Sequence, residues 1–110
     1  VIVITNLAHS KSVSSRHSSG LKLYQLGNVV LDNFGDIGDA AVHLEGLITP
    51  IGPTSTVIGT AILQAVCVEA TAQLLAQGIV PEVFASSNSD QGASHNEALL
   101  EAYKPLVKML

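Results

Sequence analysis

Val1-Ile2-Val3-Ile4-Thr5 decides the fold class. Four apolar β-branched residues in succession, with no polar residue at alternate positions, describe a strand that needs cover on both faces, as a central strand of a parallel sheet does. Asn6 ends it. Val29-Val30-Leu31, closed by Asp32-Asn33, repeats the pattern. Between them, residues 13–26 read as a helix, with Leu21, Leu23, Tyr24 and Leu26 on its apolar side and Gly27 as its stop. Strand, helix, strand is the order of a parallel crossover. The expected class is therefore α/β, a three-layer αβα arrangement on a parallel sheet.

Outward from these strands the reading is uneven. Residues 7–15, rich in Ser, His and Lys, suit a loop or helix start just past the first strand, where open α/β sheets place ligands. Residues 34–53 carry four glycines and two prolines, and only the alternation Val42-His43-Leu44-Glu45 suggests a short extra strand. The clearest helix follows Pro53: Thr54-Ser55-Thr56 offer hydroxyl caps, and an apolar series runs from Val57 to Leu75 and stops at Gly78. It is apolar nearly all round and is expected to be buried, Cys67 with it. Residues 57–76 approach the ~20 residues of a membrane span, but Gln64, Glu69, Thr71 and Gln73 favour a buried helix of a soluble protein. Val83-Phe84-Ala85 reads as a last strand. Ser94, with Glu97 three residues on, reads as the capping box of a final helix ended by Pro105.

Composition narrows the partners. The chain has 110 residues, one domain at most and short for a layered α/β sheet, and it opens on an apolar run without Met, as a fragment would. Hydrophobic residues make up 47% and charged residues 13%, so a folded domain is expected. Five Lys+Arg against nine Asp+Glu give a net charge of −4, which offers no basic patch for nucleic acid. A single cysteine excludes an internal disulfide, and the apolar start lacks the basic region of a signal peptide, so the expected location is cytoplasmic. His9, His17, His43 and His95 have no metal-ligand spacing. No metal and no cofactor are expected. Nucleophile-elbow, Walker and dinucleotide-binding motifs are absent from the sequence.

Candidate chemistry gathers at two places. Asn6, His9, Ser10, Lys11 and Ser12 bring an amide, an imidazole, an ammonium and hydroxyls to the end of the first strand, a set suited to a polyhydroxylated ligand. Thr54, Ser55 and Thr56 open the long helix, whose free amides and dipole favour an anion. His95 beside Asn96, and His17 beside Arg16, are the histidines best placed for acid–base work, with Glu45 and Glu69 as weaker alternatives.

The order Ile2-Val3-Ile4-Thr5-Asn6, Ser10 and Ser12, Arg16-His17-Ser18, Val29-Val30-Leu31-Asp32 and Thr54-Ser55-Thr56 before a long apolar helix resembles the carboxyl-terminal half of a sugar isomerase (SIS) domain. Residues 16–24, 52–59 and His95-Asn96 look closest to a bacterial phosphoheptose-isomerase-like subgroup. The resemblance spans nearly the whole chain. It implies an incomplete SIS/flavodoxin-like domain over residues 1–110 that binds a sugar phosphate and assembles as a homodimer or higher homo-oligomer. Asn6, His9, Ser10, Ser12, Arg16, His17, Thr54, Ser55 and Thr56 are then the substrate-binding set, and His95 and Glu45 the catalytic candidates. The family's main phosphate loop and its catalytic glutamate are expected upstream of Val1. The implied activity is aldose–ketose isomerisation in a full-length protein; the alternative is a non-catalytic sensing or oligomerisation module.

Overall fold

The computed structural model describes residues 1–89 and 91–107. The chain forms two compact units, Val1–Glu69 and Ala70–Leu110.

In the first unit, β1 (Ile2–Thr5) and β2 (Val29–Asp32) pair in parallel, Ile2 opposite Val29 and Thr5 opposite Asp32. Between them lie α1 (Leu7–Ser12) and a 3₁₀ turn, Leu23–Leu26. A second pair, β3 (Ala40–Val42) and β4 (Ile51–Pro53), is antiparallel. The long helix α2 (Ser55–Ala76) starts in this unit and ends in the next. The fold is thus mixed α and β, with one parallel and one antiparallel pair among the described residues.

The helix expected over residues 13–26 does not form. Asn6 caps a helix that begins earlier, its side chain accepting from the His9 N–H, and α1 ends at Val13 with extended backbone. Beyond that, serines take over the backbone's bonds. Ser15 Oγ donates to Leu21 O and accepts from His17 N, Ser19 Oγ accepts from Leu21 N, and Gly20 turns at φ +72°. Such local side-chain bonds compete with a helical ladder, and here they win.

Burial also departs from expectation. Val3, 3% exposed, is the one buried apolar residue among those described, whereas Ile2 is 62% exposed, so the first strand is not covered on both faces. No residue of α2 is buried, and Cys67 is exposed rather than part of a core. The reason is plain: α2 is apolar all round, and the described residues supply no layer broad enough to cover it. By length and composition α2 is also long and apolar enough to cross a bilayer, a test that core helices of soluble proteins pass too.

In the second unit α2 ends in a glycine cap. Gly78 takes φ +76°, its N–H bonds Leu75 O, and Ile79 N–H reaches back to Leu74 O. The final helix, α3, covers Gly92–Tyr103. It starts two residues before the expected cap, so Ser94 lies within its first turn, where Oγ donates to Gln91 O. The expected strand at Val83–Ala85 is absent, because side chains of α3 satisfy its backbone in place of a neighbouring strand. Asn96 accepts from Ala85 N (2.9 Å) and donates to Ala85 O (2.8 Å), and the His95 ring bonds Val83 O (2.9 Å).

Candidate functional site

The carboxyl ends of β1 and β2 stop side by side, and each hands over to an asparagine. Asn33 N–H bonds Thr5 O across the pair (3.0 Å), extending the ladder by one residue. Asn6 then works as a tie. Its Oδ1 caps α1 through the His9 N–H (2.8 Å), and its Nδ2 donates to Gly35 O (2.6 Å) and Asp36 O (2.9 Å). Gly35 lies so close that an added Cβ would sit 3.1–3.3 Å from Thr54 Oγ1, Asn6 Nδ2 and Asn33 Oδ1. Glycine there lets the loop after β2 approach Asn6 this closely.

That loop next makes a tight turn, Asp39 N–H to Asp36 O (2.9 Å), with Gly38 at φ +93°. Gly38 N–H donates to His9 Nδ1 (3.2 Å), so the neutral ring carries its proton on Nε2. Asp39 follows at φ +75°, a left-handed conformation that Asp tolerates better than most residues, and this aims its carboxylate at the start of α2. Oδ1 accepts from the N–H groups of Thr54 (3.1 Å) and Ser55 (2.7 Å), and Oδ2 accepts from Ser55 Oγ (2.7 Å). The Ser55 hydroxyl bond, aided by the two amides against some desolvation, holds the Asp39 carboxyl below its ordinary value of 3.8.

These ties enclose a cavity of about 490 Å³ lined by Thr5, Asn6, His9, Ser10, Asn33, Asp36, Asp39 and Ser55, with Ile4 and Gly59. It lies at the carboxyl ends of the parallel strands, where α/β sheets place ligands. Of the expected binding residues it brings together Asn6, His9, Ser10 and Ser55. Thr54 stands behind it, its Oγ1 donating to Asp39 O. Ser12 Oγ donates to His9 O within α1, His17 Nδ1 pairs with Ser19 Oγ in a surface turn, and Arg16 and Thr56 are absent from the lining. Glu45 sits in the turn closed by Leu47 N–H to Leu44 O, also away from the lining. His95 belongs to the second unit, where its ring holds Val83 O.

Thr5, Asn33, Asp36 and Asp39 are the polar lining residues outside the expected set. Two signals could have found the last three. Asn33 follows β2 as Asn6 follows β1, and Gly35 and Gly38 mark a loop bent back on itself. Among the described residues, no cluster of His, Cys, Asp and Glu could hold a metal.

No family model matches the chain. It is similar to UPF0309 proteins of several bacteria. The chain is 43% identical over 94% of its length to that of Shouchella clausii, covering 42% of the relative. It is 43% identical over 99% to that of Geobacillus thermodenitrificans, covering 44%. With that of Listeria innocua it shares 39% identity over its whole length, again covering 44%. The chain therefore spans less than half the length of the curated relatives it matches.

Proposed function

We propose that the chain furnishes the sugar-facing part of a phosphosugar-binding domain of the SIS type, a three-layer αβα fold acting in the cytoplasm. One observation carries this reading: Asn6, His9 and Ser10, from the cap and body of α1 just after β1, and Ser55, from the start of α2, line one cavity at the carboxyl ends of a parallel strand pair. The resemblance to SIS domains supports a sugar phosphate as the ligand and aldose–ketose isomerisation as the activity of the whole protein. Within the first unit, His9 rather than Glu45 is the group placed to move a proton in such a reaction, since its ring lines the cavity and is held at Nδ1 by Gly38. Thermal unfolding of the full-length protein with a panel of hexose and heptose phosphates tests this. A ligand at 100 times its dissociation constant adds ~2.7 kcal/mol, and no shift with any sugar phosphate refutes it.

A second reading, a non-catalytic module that associates through α2 as a homodimer or higher homo-oligomer, is favoured by the exposure of that helix. Val57 is 73% exposed, Val68 69% and Leu63 55%. Apolar residues repeated along 22 helical residues gain most when covered by another protein surface. Sedimentation velocity is expected to give a multiple of the monomer mass, reduced by Leu63→Gln with Val68→Gln. A wild-type monomer at micromolar concentration refutes the association.

A further inference from the structure

The cavity at the ends of β1 and β2 has groups that are spent and groups that are free. Asn6 uses both ends of its amide on the protein itself, and the Thr54 and Ser55 amides at the start of α2 are held by Asp39. Asn33 differs. It is only 7% exposed, and its Oδ1 accepts from Gly35 N–H (3.0 Å), which fixes the amide so that Nδ2 is the other end. That Nδ2 has no protein partner among the described residues. Yet no described buried side-chain nitrogen or oxygen lacks a partner. Nδ2 therefore keeps an open face, and Asn33 lines the cavity. An amide held at Oδ1 in a nearly buried side chain, with its Nδ2 open, is a fixed donor for whatever occupies the cavity.

Charge decides what that something is. Asp36 and Asp39 line the cavity and no Lys or Arg does. Two carboxylates repel a phosphate, and the Thr54 and Ser55 amides that face Asp39 are already occupied by it. Asp36 makes no side-chain hydrogen bond among the described residues and is an acceptor for a hydroxyl. A donor at Asn33, an acceptor at Asp36 and an Nε2–H on His9 match alcohol groups, each of which both donates and accepts.

Resting on the phosphosugar reading, we infer that this cavity receives the uncharged, hydroxyl-bearing part of the ligand, with Asn33 Nδ2 donating to a ligand oxygen and Asp36 accepting a hydroxyl, and that the phosphate group lies outside it. Asn33 and Asp36 are specificity residues in this scheme.

The test follows the Asn33 side-chain amide resonances of ¹⁵N-labelled protein during titration with glucitol, glucose 6-phosphate and inorganic phosphate. Glucitol and glucose 6-phosphate are expected to shift them and inorganic phosphate to leave them in place. Asn33→Asp, which keeps the acceptor for Gly35 N–H, and Asp36→Asn, at an exposed position, are each expected to weaken glucitol binding tenfold or more with the rest of the spectrum retained. The inference is overturned if inorganic phosphate shifts the Asn33 amide as much as the sugars do. It is also overturned if glucitol leaves that amide unmoved, or if both variants bind glucitol like the wild type. If glucitol shifts the amide and no sugar phosphate binds more tightly than its neutral parent, the hydroxyl pocket at Asn33 and Asp36 stands and the phosphosugar reading falls, and with it the placement of the phosphate.

Discussion

Asn6→Ala removes one side chain that holds two loops. Its Oδ1 caps α1, a contribution of about 1 kcal/mol, and its Nδ2 makes two bonds, to Gly35 O at 2.6 Å and Asp36 O at 2.9 Å. Each such bond contributes about 0.5–1.5 kcal/mol net, so the substitution is expected to cost about 2–4 kcal/mol in all. Asn6→Asp is the informative companion, because it keeps the cap acceptor and loses both donors. It is expected to retain α1 and to cost about 1–3 kcal/mol. Chemical denaturation gives the two losses, and amide hydrogen exchange at Gly38 and Asp39 reports release of the loop after β2. If Asn6→Ala unfolds within about 0.5 kcal/mol of the wild type, below the net worth of a single bond, Asn6 is not the tie described here. The contact between the two loops must then be held by other groups.

Three further outcomes follow from the same structure. Asn96→Ala strips both backbone partners from Ala85 and is expected to cost about 1–3 kcal/mol, with faster exchange of the Ala85 amide; unchanged exchange there would contradict the account of the missing strand. Gly92→Ala would normally favour a helix, but a Cβ at Gly92 runs into the Ser86 carbonyl, so this variant is expected to lower the melting temperature instead of raising it. Asp39 has a folded-state pKa depressed below 3.8, so its bonds to α2 add stability above that value and lose it as pH falls through the lower folded value. Acid unfolding followed by circular dichroism is expected to show this loss in the wild type and to lack it in Asp39→Asn. An identical acid limb in both proteins would remove Asp39 as the cap.

The sequence by itself determined the parallel strand pair, since a β-branched run followed by a polar stop has few other uses. It determined the long helix and its glycine stop as well, and it pointed to the loop after β1 as a place for chemistry. These features are local, written in neighbouring residues and read with a period of two or of 3.6. Only the tertiary structure decided that Asn6 would be spent as a tie, that Asp39 would reach from fifteen residues away to cap Thr54 and Ser55, and that Asn33 would keep a free donor. It also decided that His95 and Asn96 would serve the backbone of Val83 and Ala85. Each of these depends on which polar group meets which across a turn or between elements. A hydrogen bond of under 3 Å is fixed by backbone dihedrals such as those of Gly38 and Asp39, and composition and periodicity carry no record of them.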